Sequence, residues 1–292
     1  MPTPARRESD NSRAFQPIGV FDSGIGGLTV VQALRDILPR ESIFYIGDTA
    51  RLPYGGKDRQ TIERYSLEIS GLLLAENAKM IVVACNTASA LALPRLQEVL
   101  KIPVLGVIAP GSRAAVQQTR NGHIGVVGTR ATISSRAYER TIHALDPDLR
   151  VTSQACPLLV PLIEEAWFED PVTRDVLHRY LDPLLAAGID TLVLGCTHYP
   201  LLVSAIEEMV GREVRLVDSA RNCAAAVQQT LAELQLENGS SCSGRLEVAL
   251  TDSSNPFLET AEKALALRID KLETRLVQGV MLSAEMAGGG SL

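Results

Sequence analysis

The sequence predicts an α/β protein made of two related, doubly wound halves with mostly parallel sheets. Short runs rich in Ile and Val recur along its 292 residues. These runs are nearly continuous rather than alternating, as in parallel strands that are covered on both faces. Helix-length segments with apolar residues three and four positions apart separate them. Strands and helices that alternate in this way form βαβ units, and the length suffices for one large or two medium domains.

The predicted strands fall into two series. The first series is 18–21, 42–47, 79–85 and 102–108, and the second is 123–128, 150–155, 190–196 and 212–218. The helical pattern between strands is clear in 26–38, 59–77 and 171–188. The two series also match each other, pairing 18–23 with 124–129 and 73–85 with 184–196. This second pairing places Cys85 over Cys196, so each half carries a cysteine at the same predicted position.

Composition and charge exclude several classes of function. The net charge of −6 argues against broad binding of nucleic acid or of anionic membranes. No apolar run approaches the roughly 20 residues that a membrane helix needs. The polar N-terminus has no apolar segment typical of a secretory signal. The sequence therefore predicts a cytoplasmic protein without nucleic-acid or membrane partners.

The cysteines predict neither a disulfide framework nor a structural metal. The five cysteines are widely spaced, at 85, 156, 196, 223 and 242. An odd number without a signal peptide is not typical of disulfide-rich proteins. Only Cys196 and His198 have the short spacing of a zinc-ligand pair. We therefore expect no metal.

Cys85 and Cys196 each end a predicted strand and lead into a predicted helix. Ligands of open α/β sheets bind at the carboxyl ends of strands. Helix N-termini favour anions and lower the pKa of a nearby thiol. We therefore expect two acidic thiols facing one cleft, the alternative being two packed core residues. For the remaining cysteines, structural packing is the prediction, at Cys156, Cys223 and Cys242.

Two thiols on opposite sides of a small carboxylate suit the inversion of a carbon centre. One group removes a proton from one face of a planar intermediate, and the other delivers a proton to the opposite face. Pyridoxal phosphate, the usual aid for such carbanions, needs a lysine. Lys79 and Lys101 stand beside strands in contexts that look solvated, and Lys57 lies in a loop without other pyridoxal signals. The sequence thus favours a route without a cofactor.

Two further segments follow predicted strands of the first half. "GIGG" (24–27) matches neither the dinucleotide fingerprint nor the phosphate loop with its lysine. We expect Asp22 and Ser23, just before it, to project into the cleft, with helix capping as the alternative. The turn around Tyr54 either contacts a ligand through its backbone or packs through its ring.

Five segments together resemble the signature segments of the glutamate racemase family, in the aspartate/glutamate racemase superfamily. They are 21–30, 47–55, 82–90, 156–165 and 193–202. The resemblance implies cofactor-independent interconversion of L- and D-glutamate, which supplies D-glutamate for peptidoglycan in the bacterial cytoplasm. It also implies two α/β domains with the active site between them, and a homodimer.

The resemblance also implies roles for individual residues. Cys85 and Cys196 become the two acid/base residues, Cys85 acting on D-glutamate and Cys196 on L-glutamate. Asp22 assists the first thiol, while Glu164 and His198 lie near the second. Substrate contacts are implied for Asp22, Ser23, Tyr54, Gly55, Asn86, Thr87, Thr129, Thr132, Thr197 and His198. Alternatives remain: helix capping for Thr129 and Thr132, a solvated charge for Glu164 or Glu165, and a structural cap for His198.

The predicted first domain comprises 18–109 and 220–281, and the second comprises 110–219, with flexible tails at 1–17 and 282–292. Three alternative functions stay open. One is an aspartate racemase of the same superfamily, and another is a non-catalytic amino-acid-binding module. The third is a hydrolase that uses Cys196 with His198, although side chains two apart at a helix start are expected to be poorly aligned.

Overall fold

Two parallel β-sheets organise the chain. The structure, a computed structural model, describes residues 13–252, 258–259 and 265–277. Within these residues the strands are β1 (Ile18–Asp22), β2 (Ile43–Gly47), β3 (Met80–Val83), β4 (Val104–Gly106), β5 (His123–Gly128), β6 (Arg150–Ala155), β7 (Thr191–Gly195), β8 (Arg215–Asp218), β9 (Leu246–Leu250) and β10 (Lys271–Thr274). The first sheet has the order β10-β9-β2-β1-β3-β4, and the second has the order β6-β5-β7-β8.

The central strands are buried along their whole length. In β1, Ile18 pairs with Ile43 of β2 on one side and with Met80 of β3 on the other, both in parallel register. All residues of β1, β2, β3, β5 and β7 are buried. Such strands need apolar residues on both faces, which accounts for their continuous Ile and Val runs. The predicted α/β fold class is confirmed.

The two sheets share one strand order. The run β2-β1-β3-β4 of the first sheet corresponds to β6-β5-β7-β8 of the second. Strand β3 in the first half is therefore equivalent to β7 in the second, as the alignment of 73–85 with 184–196 predicts. Cys85 and Cys196 follow these two equivalent strands.

Helices connect the strands and cover the sheets. They are α1 (Leu28–Ile37), α2 (Arg59–Ala75), α3 (Asn86–Leu91), α4 (Leu93–Val99), α5 (Ile108–Gln118), α6 (Arg130–Ser134), α7 (Ala137–Leu145), α8 (Leu159–Glu164), α9 (Pro171–Ala186), α10 (Val203–Val210) and α11 (Ser219–Glu233). Asp58 caps α2 by accepting from the Thr61 N–H, 2.9 Å away. Asp170 caps α9 in the same way, accepting from the Val172 N–H at 2.8 Å. Both caps satisfy backbone donors that a helix start leaves free. Among the described residues, no helix has the length and apolarity to cross a membrane.

The segments after the two cysteines are less helical than the sequence predicts. After Cys85 the helix is divided into α3 and α4, with Pro94 in the first turn of α4. After Cys196 a 3-10 turn, Tyr199–Leu202, precedes α10, and Pro200 lies within that turn. A proline lacks an N–H and its ring clashes with the carbonyl four residues earlier, so it interrupts a helix. The expectation that Cys196 begins an α-helix is therefore wrong.

Strands β9 and β10 were not predicted. β9 joins the first sheet beside β2, and β10 forms its edge. In β10, Lys271 and Glu273 flank Leu272. Charged residues on an edge strand prevent its pairing with other chains. They also interrupt the apolar run from which a buried strand is predicted. The predicted strand 102–108 is shorter, because Ile108 already begins α5.

Lys79 does not lie in the solvated place that the sequence suggests. It is fully buried beside Glu41 in an ion pair. Its Nζ also donates to the carbonyls of Ala14, at 2.7 Å, and Leu236, at 2.8 Å. These partners satisfy a cation that would otherwise be costly to bury. They also hold residues next to β1, so part of the predicted N-terminal tail contacts the first sheet.

Two connections run between the halves. α5 follows β4 and leads into the second sheet, and α11 follows β8 and leads back. The domain limits 18–109 with 220–281, and 110–219, stay a prediction. Residues 1–12 of the predicted N-terminal tail, residues 278–281 of the first domain and the predicted tail 282–292 lie outside the described residues.

Candidate active site

A cavity of about 380 Å³ lies where loops from both halves meet at the carboxyl ends of the strands. Its size falls within the usual range for small-ligand sites. The predicted site residues that line it are Ser23, Tyr54, Gly55, Cys85, Asn86, Thr87, Thr129, Glu164, Cys196, Thr197 and His198. Asp22 and Thr132 do not line it and are buried behind its wall. The structure thus brings most of the predicted site residues to one cavity.

Cys85 sits at the first-half side of this cavity, at the N-cap position of α3. It is 5% exposed. Burial raises the pKa of the thiol to about 12, and the Asp22 carboxylate adds to the rise, while contacts to the Ala88 N–H and to Ser23 oppose it. The expectation of an acidic thiol is therefore wrong for Cys85. Desolvation and a neighbouring negative charge outweigh the start of a short helix.

Asp22 is held from both halves of the chain. Its Oδ2 accepts from the backbone N–H groups of Gly24 at 3.1 Å and Gly27 at 3.2 Å. The Thr197 hydroxyl donates to its Oδ1 at 3.3 Å. Burial raises the pKa of Asp22, and the charge of His198 opposes that rise. The capping alternative is not supported for Asp22, because α1 has no side-chain capping hydrogen bond and, at the start of α1, Asp22 accepts only from the N-cap residue, Gly27.

The glycines of "GIGG" make room for the opposite half. A β-carbon on Gly26 would lie 2.4 Å from Nδ1 of His198 and 2.7 Å from Oγ1 of Thr197. One on Gly27 would lie 2.5 Å from Cβ of Asp22. These distances are far below van der Waals contact, so no larger residue fits without displacing its neighbours. Gly26 and Gly27 therefore allow close packing around His198 and Asp22.

His198 lies between Cys196 and Glu164. Its Nδ1 is 3.9 Å from the Cys196 Sγ, and its Nε2 is 3.2 Å from Oε1 of Glu164. Burial by itself lowers the pKa of His198, but hydrogen bonds to Cys196 and Glu164 outweigh it and raise the pKa to about 10. The imidazole is therefore cationic at neutral pH. A cation beside the sulfur stabilises negative charge that develops there.

The predicted misalignment of Cys196 and His198 is wrong. The Tyr199 N–H donates to the Cys196 carbonyl at 3.2 Å, closing a tight turn that brings the two side chains together. Glu164 is the partner of His198, whereas Glu165 is exposed. A solvated charge thus describes Glu165 but not Glu164.

Three threonine hydroxyls form a triangle across the two halves. Thr87 Oγ1 lies 3.0 Å from Thr129 Oγ1 and 3.3 Å from Thr132 Oγ1, and the last two are 3.0 Å apart. Thr129 also caps α6 by accepting from the Thr132 N–H at 3.2 Å. The capping alternative is therefore correct for Thr129. Because a hydroxyl can both donate and accept, these threonines can replace a hydrogen bond to one another by a hydrogen bond donated to a ligand carboxylate.

The turn at Tyr54 lines the cavity together with Gly55 and Gly56. The Tyr54 side chain is buried, and its hydroxyl donates to Asp48. A β-carbon on Gly55 would lie 2.8 Å from Cβ of Thr129, so the turn touches the second half directly. The ring of Tyr54 packs, which was one of its two predicted roles.

Comparison with known proteins places this arrangement in a family. Residues 28–230 match the family described as Asp/Glu/Hydantoin racemase. The chain belongs to this racemase family. A protein named glutamate racemase from Geobacter metallireducens is 48% identical over 251 residues, which are 86% of this chain and 93% of the relative.

Solved structures of glutamate racemases share the fold. The enzyme of Francisella tularensis, in complex with D-glutamate, matches with a TM-score of 0.85 and 36% identity, over 91% of this chain and 100% of that one. The enzyme of Thermus thermophilus, in complex with beta-chloro-D-alanine, matches with a TM-score of 0.82 and 43% identity, over 91% of this chain and 99% of that one.

Some residues at the cavity of this racemase-family chain were not predicted. Cys156 was assigned to structural packing, yet it lines the cavity together with Pro157, Val160 and Arg130. Burial raises the pKa of Cys156 to about 12, and its carbonyl accepts from the Tyr199 hydroxyl at 3.1 Å. Its position in the signature segment 156–165 was the available signal. By contrast, Cys223 is fully buried, and Cys242 is exposed.

A larger cleft of about 870 Å³ lies between α1 and the segment 200–208. Neither Cys85 nor Cys196 lines it, so the chemistry belongs to the smaller cavity. The Thr29 hydroxyl links this cleft to the cavity, donating to the Thr197 carbonyl at 3.0 Å.

Within the part of the chain that the structure describes, no group of three or more His, Cys, Asp or Glu side chains is placed to hold a metal. Independence of metals and cofactors stays a prediction.

Proposed function

We propose that this protein interconverts L- and D-glutamate without a cofactor, with Cys85 and Cys196 as the two acid/base residues. The observation that carries the proposal is that the two thiols follow equivalent strands, β3 and β7, and line one cavity. Membership of the racemase family supports it, as do relatives named glutamate racemase and a structural neighbour that holds D-glutamate.

From L-glutamate, the reaction begins with Cys196 as thiolate and Cys85 as thiol. The Cys196 sulfur takes the α-proton, so an S–H bond forms as the C–H bond breaks. The electron pair is delocalised into the α-carboxylate. Cys85 then gives its proton to the opposite face, so its S–H bond breaks as the new C–H bond forms. When D-glutamate dissociates, Cys196 is a thiol and Cys85 is a thiolate. This is the starting state for the reverse reaction.

The surrounding residues fit this sequence of steps. Cys85, with its pKa raised to about 12, is protonated in the free protein and ready to donate. His198, cationic below its pKa of about 10, favours the thiolate at Cys196. Asp22 offers a negative charge to the substrate ammonium, which in turn offsets the effect of Asp22 on Cys85. Asn86, with the hydroxyls of Thr87, Thr129 and Thr197, would hold the substrate carboxylates, and Thr132 would support Thr87 and Thr129 from behind the cavity wall.

A circular-dichroism assay on L-glutamate, without added pyridoxal phosphate, tests the proposal. We expect the optical signal to decay to zero, and to do so after exhaustive treatment with EDTA and with hydroxylamine. Activity that is lost and then restored by zinc or by pyridoxal phosphate would contradict cofactor independence. Faster turnover of L-aspartate than of L-glutamate would favour the aspartate alternative, and binding without optical change would favour a binding module.

The contact between Cys196 and His198 supports a second candidate, a thiol hydrolase. The 3.9 Å separation is compatible with a nucleophile and its base. This function would leave Cys85 without a role, which is why we favour the racemase. An acyl-enzyme trapped on Cys196 by an activated ester, with no racemisation of glutamate, would establish it instead.

The biological setting forms part of the same proposal. D-Glutamate would serve peptidoglycan synthesis in the cytoplasm, and the enzyme would act as a homodimer without nucleic-acid or membrane partners. Residues 18–109 with 220–281 would form one domain and 110–219 the other, as the division of strands between the two sheets supports. Restored growth of a bacterial strain that requires D-glutamate tests the role in peptidoglycan synthesis, and light scattering tests the homodimer.

A further inference from the structure

Tyr138 of α7 is a buried tyrosine outside every predicted site, yet it contacts a residue of the cavity wall. It is 2% exposed, and its hydroxyl donates to Oδ1 of Asn86 at 2.7 Å. An amide oxygen only accepts hydrogen bonds, so the direction of this one is fixed. Burial raises the pKa of Tyr138, which keeps the donor protonated. With its oxygen held, Asn86 keeps its NH2 group for a ligand in the cavity that it lines.

The Tyr138 hydroxyl also lies where the two connections between the halves pass. Ser219, the first residue of α11, has its Oγ 3.0 Å from the Tyr138 oxygen and donates to the Leu194 carbonyl of β7 at 3.1 Å. On the other connection, a β-carbon on Gly111 of α5 would lie 3.3 Å from the Ser219 Oγ. The Tyr138 hydroxyl thus contacts Asn86 of the first half and Ser219 of one connection, and Ser219 in turn contacts Leu194 of the second half.

The ring of Tyr138 packs against Gly195, the residue before Cys196. A β-carbon on Gly195, the residue before Cys196, would lie 3.1 Å from the Tyr138 Cε2 and 2.6 Å from the Val127 carbonyl oxygen. Ring and hydroxyl therefore touch different parts of the site. Tyr138→Phe removes the hydroxyl and keeps the ring, so the two contributions can be separated.

We propose that Tyr138 is a positioning residue, whose hydroxyl orients the Asn86 amide with its NH2 group toward the substrate. The inference rests on the proposed function, since glutamate is the ligand that Asn86 would hold. Without the hydroxyl, the amide of Asn86 is free to rotate, and its oxygen then meets a substrate carboxylate. A contact of equal strength in the ground state and the transition state affects KM rather than kcat.

The test is a double-mutant cycle between Tyr138→Phe and Asn86→Ala. In the otherwise unchanged protein, we expect Tyr138→Phe to raise KM about tenfold for both enantiomers, in line with the loss of about one hydrogen bond, with kcat nearly unchanged. In the Asn86→Ala background the same substitution should change KM less than about twofold, since it acts through Asn86. Ser219→Ala should raise KM by a smaller factor.

One control variant and one binding measurement complete the test of the positioning role. Tyr180→Phe, at a buried tyrosine of α9 that does not line the cavity, is the matched control and should leave KM unchanged. The dissociation constant of D-glutamate by calorimetry, measured with Cys85→Ala present in every variant to suppress racemisation, repeats the cycle without turnover, so that weak activity of Asn86→Ala does not affect the result. An unchanged KM in Tyr138→Phe, or an equal rise in both backgrounds, would overturn the positioning role. An unsubstituted protein that neither binds nor racemises glutamate would instead overturn the proposed function and the inference with it.

Discussion

Cys85 and Cys196 hold equivalent places in the two halves, yet their nearest charged side chains differ in sign. Beside Cys85 lies the Asp22 carboxylate, which adds to a pKa of about 12. Beside Cys196 lies His198, whose own pKa of about 10 keeps it cationic. The repeated fold sets where each sulfur lies, and the side chains around it set which charge is stable there.

This difference bears directly on a two-base reaction. A racemase must accept either enantiomer, because the equilibrium constant between enantiomers is one. Under the proposed mechanism, the free protein would nevertheless be prepared for one direction, with a protonated Cys85 and a cation beside Cys196. In the proposed reaction, the ammonium of the substrate would reduce this asymmetry, because it would bring a positive charge near Asp22. Each prediction below tests a part of this contrast, from the largest effect to the smallest.

The largest effect is expected from removing either thiol. Cys85→Ala and Cys196→Ala should each lower racemisation by about a thousandfold or more, since each deletes the acid/base group of one face. Elimination of chloride from β-chloroalanine needs only the first proton abstraction. We therefore expect Cys85→Ala to eliminate from the L-enantiomer alone, and Cys196→Ala from the D-enantiomer alone, as measured by pyruvate release. Mutants that both prefer the same enantiomer would contradict the assignment of one thiol to each face.

A smaller effect is expected from the charged neighbours. Asp22→Asn and His198→Asn should each lower kcat about ten- to a hundredfold, because each removes the charge that tunes one thiol. The two substitutions should favour opposite directions in kcat. The equilibrium constant requires kcat/KM to stay equal for both enantiomers, so KM must shift together with kcat. Full progress curves from L- and D-glutamate measure kcat and KM in both directions. Equal losses of kcat in both directions would contradict the proposed difference between the two thiols.

Much of this contrast could not be predicted from the sequence. The buried strands were predictable because runs such as Met80–Val83 are apolar throughout. The resemblance placed His198 near Cys196, but the spacing of the two residues did not predict their contact, since it depends on the tight turn closed by the Tyr199 N–H and the Cys196 carbonyl. The high pKa of Cys85 follows from its burial, which a helix start in the sequence does not reveal.

Alkylation rates test the effect of Asp22 on Cys85 more finely. The thiolate is the reactive form, so modification of Cys85 by iodoacetamide should speed up about tenfold per pH unit between pH 7 and pH 10, below its pKa of about 12. Asp22→Asn lowers that pKa and should raise the rate at fixed pH about three- to tenfold. Cys156 is the matched control, because it lines the same cavity and its pKa of about 12 is raised by burial, with Cys196 adding to the rise. Peptide mass spectrometry measures both rates, and equal acceleration at Cys156 would show a general opening of the cavity instead.

The smallest effect concerns the pair of His198 and Glu164, and it is a matter of stability. The pKa of His198 is raised from 6.5 to about 10 in the folded protein, with Glu164 among the causes. The stabilisation from its charged form is therefore complete below pH 6.5 and is lost as the pH rises through 10. Glu164→Gln should lower the free energy of unfolding by about 1–2 kcal/mol at pH 6 and by much less above pH 10. Scanning calorimetry at the two pH values measures the change, with Glu165→Gln as the exposed control. If Glu164→Gln lowered the free energy of unfolding equally at both pH values, the pairing of His198 with Glu164 would not contribute pH-dependent stability. The same conclusion would follow if Glu164→Gln lowered it no more than Glu165→Gln does at pH 6.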